Sequence, residues 1–448
     1  MKQKFKLNKL SVAITSAATL ATLGFSGQAL AVPSYARQTG LACEACHTIF
    51  PELTAFGRTF KLNGYTLTGL QQIEAANGQA LKINAGAPLS VMLQASVSNE
   101  GKRPPGGQNN NTEFPRQLSF FYAGEISPHM GTFIQVTNAQ KDGGVGFGID
   151  NSDVRYANHY GTDSIWGLTL NNNPSVQDVW NDTPAWGYPW IHSGEKPYDR
   201  FLPDGATKNA PGAPDIMLDS LGQAVAGLGA YTMIDNAWYA ELSFYRSANM
   251  GTLVEPVAGS INGLAPYARV AWQHNFGDIY WEIGGFGMQT QELDGNGNEN
   301  VYKDLGLDSQ LEIPVSGSDL LALHARYSHE TQDYGTSGAA AGASASNSSD
   351  TLKNYHIDGI YHFGHVADVG LGWDDWTGTS DAALYAWGNG TTNVGGSPDT
   401  ASWTAQVEYL PWENTKLGLQ YRAYTKYVGS TSSVSNDNYL MAYGWFAW

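Results

Sequence analysis

The sequence predicts an all-β transmembrane barrel of about sixteen antiparallel strands, with a short, mainly helical N-terminal segment plugging the lumen. Composition is the first observation behind this fold class. The 448-residue chain has 52 glycines and 12% aromatic residues but only 15% charged residues, which favours a β-rich protein. The second is a two-residue alternation of apolar and polar side chains. The third is a regular alternation of short and long connections.

The side-chain alternation is clearest in four segments. Residues 89–97, 403–409 and 417–423 each place apolar side chains at every second position, with polar or small ones between them. Residues 439–448 form an alternating aromatic segment that ends at Trp448. One face of such strands tolerates lipid, whereas the other lines a polar lumen. The alternative, a secreted array of β-sandwiches, would require polar residues on the outward faces.

The connections predict the number of strands. Short turns fall near residues 127–131, 160–163, 234–236, 277–278, 314–318, 364–366 and 411–414. Long loops fall near residues 100–112, 141–150, 173–219, 247–262, 291–299, 331–350, 378–399 and 428–436. Sixteen strands result, with short turns and both termini on the periplasmic side. We expect the longest loop, 173–219, to lie at the outer mouth, as a cap or as a self-packed surface loop.

The N-terminus is typical of an exported protein. Four lysines lie within the first nine residues, an apolar stretch follows, and Ala29 and Ala31 supply an A-x-A cleavage site. We therefore expect residues 1–31 to be a signal peptide, residues 32–85 the plug and residues 86–448 the barrel. The formal net charge of −17 excludes nucleic acid as a partner and suits cations.

The only two cysteines lie in a C-x-x-C-H motif, Cys43-Glu44-Ala45-Cys46-His47. This spacing is that of covalent c-type haem, in which two thiols bond the vinyl groups and the adjacent imidazole binds the iron. We predict one haem c, attached through Cys43 and Cys46, with His47 as the proximal ligand. A disulfide or redox-active dithiol is the alternative, and a zinc site would need two further ligands nearby.

The segment around this motif is too short to form a large core of its own. Residues Glu52 to Asn63 are predicted to form one helix that ends at Gly64. Phe56 and Phe60 would pack against the porphyrin, and Arg58 or Lys61 would pair with a propionate. For each of these residues, packing against protein alone is the alternative.

The segment offers no conventional distal ligand, because residues 48–91 contain neither Met nor His. The iron is then five-coordinate, or its sixth ligand is Lys61, Lys82 or a residue of the barrel wall. Met92, on the polar face of the first strand, is the first candidate and His356 the second. Other inward candidates are His324, His362 and Met288.

These motifs resemble the fused cytochrome c–porin family of bacterial outer membranes. The resemblance rests on residues 33–40, 43–47, 50–53, 56–58 and 61–65, and on 171–180. Because the family includes outer-membrane iron oxidases, the resemblance implies one haem that passes electrons from extracellular Fe(II) to a periplasmic cytochrome. The resemblance also implies that Cys43 and Cys46 attach the haem and that His47 is its proximal ligand. It implies no distal ligand.

The sequence thus leaves three hypotheses about function. The first is electron transfer between extracellular Fe(II) and a periplasmic cytochrome, by a barrel embedded in outer-membrane lipid. The second is a passive or selective porin in which the haem segment is a structural plug or gate. In the third, a five-coordinate haem acts on peroxide or another small molecule. Inward charged residues suit either of the first two, and they are Arg269, Glu241, Glu282, Asp308, Glu408 and Arg422.

Overall fold

The protein is seen in a computed structural model that describes most of the chain after residue 32. The described residues are 33–67, 72–74, 82–84, 87–102, 108–139, 146–184, 188, 216–248, 259–294, 296–338, 340, 345–385 and 395–448. The predicted signal peptide, residues 1–31, lies outside them. Among the described residues, no helix is both long and apolar enough to cross a membrane.

Sixteen antiparallel strands form one closed barrel, which confirms the predicted strand number. A small hairpin, β1 (Gln72–Glu74) and β2 (Lys82–Asn84), precedes it. The barrel strands are β3 (Leu89–Glu100), β4 (Asn110–Ser127), β5 (Met130–Ala139), β6 (Gly148–His159), β7 (Ile165–Asn171), β8 (Val225–Ile234), β9 (Trp238–Ser247), β10 (Ala265–Phe276), β11 (Ile279–Leu293), β12 (Glu299–Ser316), β13 (Asp319–Asp333), β14 (Ser349–Phe363), β15 (Ala367–Gly378), β16 (Thr400–Trp412), β17 (Thr415–Lys426) and β18 (Tyr439–Ala447).

The first and last strands of the barrel close it. β18 pairs with β3 in antiparallel register, from Tyr439 opposite Glu100 to Ala447 opposite Met92. Beyond that register, the backbone of Trp448 exchanges two hydrogen bonds with Val91, at 2.8 and 3.0 Å. The aromatic C-terminal segment is therefore the seam of the barrel.

Side chains alternate across the wall as the sequence predicts. In β8 and β9, every second residue is buried and the residues between them are mostly exposed. The outward residues are largely apolar, for example Leu228, Leu242 and Val270, whereas the inward ones include Glu241 and Arg269. An apolar exterior around a polar interior is the pattern of barrels in lipid and the reverse of a soluble sheet.

Three short α-helices and two 3₁₀ helices complete the described structure. The α-helices are α1 (Pro33–Thr39), α2 (Ala55–Leu62) and α3 (Met217–Ser220), and the 3₁₀ helices are Cys43–Ala45 and Val434–Asn436. The predicted helix start at Glu52 is wrong by three residues. Thr54 is the N-cap, because its Oγ1 accepts a hydrogen bond from the Gly57 backbone N–H at 3.1 Å. The predicted C-terminal glycine is confirmed, since Gly64 has φ +65° just after the helix.

We expect a charge on the outward face to destabilise the barrel according to its depth. Leu307 on β12 is 64% exposed, and Val315, near the short turn that follows β12, is 52% exposed. Leu307→Arg should cost about 2–4 kcal/mol, because its guanidinium would lie in the apolar band, whereas Val315→Arg should cost about 0–1 kcal/mol. Urea unfolding in lipid vesicles measures both values. Equal losses for the two variants would contradict this placement of β12 in the bilayer.

Candidate functional site

The C-x-x-C-H motif folds into a single tight turn. Cys43–Ala45 form a 3₁₀ helix, and the backbone N–H groups of Cys46 and His47 both donate to the Cys43 carbonyl at 3.0 Å. Both cysteines are free thiols rather than the disulfide considered above. Burial raises the pKa of Cys46 to about 11, and burial together with Glu413 raises that of Cys43 further. Both thiols are therefore protonated at neutral pH.

The orientation of His47 leaves one ring nitrogen with a lone pair. Its Nδ1 lies 3.0 Å from the backbone carbonyl oxygen of Glu52. A carbonyl only accepts hydrogen bonds, so Nδ1 carries the proton and Nε2 does not. Burial lowers the pKa of His47 to about 4, which keeps the ring neutral at pH 7. A neutral imidazole held in this way is the form that binds metals.

Aromatic rings surround the turn. The ring of Phe50 lies 5.3 Å from that of His47 and 6.1 Å from that of Trp445 on β18. Cys43, Phe50 and Trp445 form one packed cluster. These residues fit a haem c, because two thiols, a neutral imidazole and flat apolar side chains meet at one place.

The three predicted haem-packing residues lie on α2. Phe60 is buried with its ring edge-on to Tyr35 at 5.0 Å, and Phe56 is 37% exposed. Arg58 forms a two-bond ion pair with Glu312 on β12, its Nη2 lying 3.3 Å from Oε2, and stacks over the Tyr280 ring at 4.3 Å. Arg58 thus already has a carboxylate partner in the wall. The packing roles of Phe56, Arg58 and Phe60 stay predictions.

The lysine candidates differ in what the structure describes. Lys61 donates to the backbone carbonyls of Val176 and Asp178 at 2.6 and 2.7 Å. Burial lowers its pKa to about 7, with Arg155 as the next cause. The side chain of Lys82 lies outside the described part of the molecule. Iron ligation by either lysine stays a prediction.

The two named distal candidates have different surroundings. Met92 lies in a cluster against which Trp445 packs, and the same indole packs against the cluster of Cys43 and Phe50. His356 has carboxylates at both ring nitrogens, with Asp374 3.1 Å from Nδ1 and Asp358 3.0 Å from Nε2. Because an iron ligand needs a free nitrogen lone pair, the geometry favours Met92. Both assignments stay predictions.

Sequence reasoning missed the buried carboxylate that links this site to the wall. Glu52 Oε2 lies 3.3 Å from His362 Nε2, and Glu52 Oε1 lies 3.6 Å from His324 Nε2. Burial alone would raise the pKa of Glu52, but the imidazoles of His362 and His324 outweigh it and hold the pKa below its usual range. Placing Glu52 on a helix concealed this role. The available signal was the presence of two inward histidines, His324 and His362, on neighbouring strands.

Glu52 belongs to a row of alternating carboxylates and imidazoles. From Glu52 the row continues through His324 to Asp358 at 3.0 Å, and from Asp358 to His356 at 3.0 Å. In order along the lumen wall, its members are Asp368, His362, Glu52, His324, Asp358, His356 and Asp374. The site therefore contains three buried histidines, each between two acids.

The loop after β7 does not lie only at the outer mouth, so that expectation is wrong for residues 173–183. Residues 172–183, here called the inward loop, are mostly buried against the lumen face of the wall. Trp180 is 1% exposed and donates its indole N–H to the Tyr280 hydroxyl at 2.6 Å. Asn181 accepts the backbone N–H of Leu53 at 3.1 Å. The inward loop thus joins the wall to the haem-motif segment.

Comparison with known proteins supports the fold alone. No family model and no curated protein matches the sequence. OmpF of Salmonella typhi, solved with daunomycin, is 12% identical, covers 84% of this chain and 100% of its own, and gives a TM-score of 0.50. An anion-selective porin from Comamonas acidovorans is 12% identical over 80% of this chain and 98% of its own, with a TM-score of 0.46. The chain therefore has the closed, sixteen-stranded β-barrel fold of porins.

We expect Arg58→Met to loosen the haem-motif segment from the wall. Glu312, whose side chain is only 13% exposed, would lose its cation, and breaking a buried ion pair costs about 3–5 kcal/mol. Limited proteolysis should show faster cleavage within residues 33–67. The double variant Arg58→Met/Glu312→Leu should regain much of the protection, since it leaves no unpaired charge. Equal cleavage of the wild type and the single variant would contradict the role of this ion pair.

Proposed function

We propose that the N-terminal segment closes this porin-like barrel, carries one covalent haem c, and moves electrons across the outer membrane from extracellular Fe(II) to a periplasmic cytochrome. The observation that carries the proposal is the Cys43–His47 turn, in which two free thiols lie beside a neutral imidazole with an unprotonated Nε2. Haem c bound there would supply one-electron chemistry, with a potential set by its axial ligands and burial.

Each residue of the turn has a distinct role in this proposal. The Cys43 and Cys46 thiols would form the thioethers, and His47 would be the proximal ligand. The Glu52 carbonyl fixes the imidazole orientation, as partners of metal-binding histidines commonly do. Met92, across the Trp445 indole, would be the distal ligand.

Contacts with widely spaced strands support closure of the lumen. Four hydrogen bonds join the segment to four different strands. Ser34 donates to the Ala123 carbonyl on β4, and Tyr65 donates to Asp153 on β6. Arg58 donates to Glu312 on β12, and Lys416 on β17 donates to the Phe50 carbonyl. Inward residues from many strands are also nearly fully buried. A filled lumen would let electrons pass while solutes are retained.

The proposed donor and acceptor rest on less direct support. The family resemblance implies Fe(II) outside and a cytochrome inside. The net charge of −17 favours attraction of cations, because an acidic surface raises their local concentration.

A porin with a movable plug is the second candidate function. The likeness to OmpF favours it over electron transfer, since that likeness concerns the barrel alone. Charged inward residues such as Arg269, Glu282 and Asp308 are also typical of a lumen that conducts solutes. This candidate requires the segment to leave its wall contacts.

Proteoliposomes distinguish the two candidates. The full-length protein is inserted into vesicles that contain both cytochrome c and a small fluorescent dye, and Fe(II) is added outside under anaerobic conditions. Reduction of the enclosed cytochrome without dye release supports electron transfer. Dye release without reduction supports the porin and contradicts our first proposal.

We expect Cys43→Ala to abolish covalent haem staining and vesicle electron transfer while the barrel still folds, because strand pairing does not involve the thiol. Glu44→Ala is the matched control, since Glu44 is an exposed residue between the two cysteines. It should retain both activities. Folding is checked by heat-dependent migration on gels. Full haem staining in Cys43→Ala would refute the requirement for a thioether at Cys43.

We expect Met92→Ala to change the optical spectrum of the haem protein, since loss of the thioether alters the distal coordination. Met288→Ala, which removes another buried inward methionine, is the control and should leave the spectrum unchanged. An unchanged Met92→Ala spectrum would redirect the search to His356 or a lysine. A six-coordinate, low-spin spectrum of the wild type would argue against peroxide chemistry.

A further inference from the structure

Three carboxylates meet inside the barrel, and none of them belongs to the cysteine turn. Asp182 comes from the inward loop, Glu282 from β11 and Asp308 from β12, and one oxygen of each lies within 4.8 Å of the other two. All three side chains are buried. The fold brings them together because Asp308 pairs in register with Gly284, two residues from Glu282 on the same face of β11.

The neighbouring cation does not balance this cluster. Arg269 binds Asp308 through two hydrogen bonds of 2.6 and 2.7 Å, and lies 3.4 Å from Glu282 and 3.6 Å from Asp178. Three carboxylates therefore surround this guanidinium. Arg326 approaches Asp182 at its backbone carbonyl, at 2.9 Å, and not at its carboxylate.

Several oxygens in the cluster lack partners. Among the described residues, neither carboxylate oxygen of Asp182 has a hydrogen-bond partner, and Glu282 Oε2 has none. Asp178 differs, since its carboxylate accepts hydrogen bonds from Trp180, Asp182 and Thr183. Burying an unpaired carboxylate is unfavourable, so buried acids are usually paired or coordinate metals. The unmet demand for positive charge lies at Asp182 and Glu282.

We propose that Asp182, Glu282 and Asp308 bind a divalent cation of the hard, oxygen-preferring class. Two oxygens bound to such an ion at about 2.0–2.6 Å can lie at most about 4–5 Å apart, which matches the spacing of the cluster. Carboxylate-only ligands favour Mg²⁺, Ca²⁺ and Mn²⁺ over soft metals. Gly284 lets the two strand carboxylates approach each other, because a Cβ there would lie 2.7 Å from Glu282 Oε1, 2.8 Å from Asp308 Oδ1 and 3.0 Å from Arg269 Nη2.

A cation at this position would cross-link the inward loop to the wall. Asp182 belongs to the loop, whereas Glu282 and Asp308 belong to neighbouring strands. The bound ion would hold the loop against β11 and β12 by ligation as well as by the Trp180–Tyr280 hydrogen bond. This site stands apart from the haem proposal, since no member of the cysteine turn contributes a ligand.

Mn²⁺ binding to the full-length, detergent-solubilised protein tests the proposal by electron paramagnetic resonance. We expect one bound Mn²⁺ at or below about 1 mM, the weak end of protein calcium sites. Asp182→Asn and Gly284→Ala should each weaken binding at least about tenfold. Asp182→Asn removes the charge of the loop ligand, and Gly284→Ala places a methyl group against the carboxylates of Glu282 and Asp308. Ca²⁺ and Mg²⁺ competition then identifies the preferred ion.

Two controls make the outcome specific. Asp163→Asn, in an exposed turn between β6 and β7, should bind Mn²⁺ as the wild type does. Cys43→Ala should also bind it normally, so failure of the haem proposal would leave this one standing. Absence of Mn²⁺ binding in the folded wild type, or unchanged binding in both Asp182→Asn and Gly284→Ala, would overturn the proposal.

Discussion

Closure of the sheet is the constraint on which the rest of the structure depends. In lipid, an unpaired strand edge leaves backbone groups without hydrogen bonds, so β18 must pair with β3. A closed wall with apolar residues outside necessarily turns its polar residues inward. Those residues then need partners of their own. The N-terminal segment and the inward loop supply many of them, and the candidate site lies where the two meet the wall.

Local patterns predicted the barrel well. Strand number, turn positions and the terminal strand depend on a two-residue period that is visible along the chain. The start of α2 was misplaced, because capping by Thr54 competes with a helix that would begin at Glu52. The inward loop was misjudged for another reason. Its fit against Tyr280 and Leu53 is a long-range property that leaves no periodic signal.

Within the candidate site, only the Cys43–His47 turn was recognised from the sequence, and its haem attachment stays a prediction. Cys43, Cys46 and His47 are adjacent in sequence, so their spacing alone indicated their chemistry. The role of Glu52 was not predicted, because its backbone carbonyl and its side-chain carboxylate contact different parts of the molecule. Its carbonyl accepts from His47, while its carboxylate lies between His324 and His362, which are distant in the chain. One residue thus ties the cysteine turn to the wall in a way that no spacing rule reveals.

Trp445 has a consequence for biogenesis. Its indole packs against both the Cys43–Phe50 cluster and the cluster that contains Met92, and it belongs to β18, which follows all other barrel strands in the chain. Until β18 pairs with β3, no barrel strand covers this side of the C-x-x-C-H motif. In a truncated or half-inserted polypeptide, the two thiols and the imidazole would therefore be exposed to water. The apolar surroundings of the motif are complete only when the barrel closes.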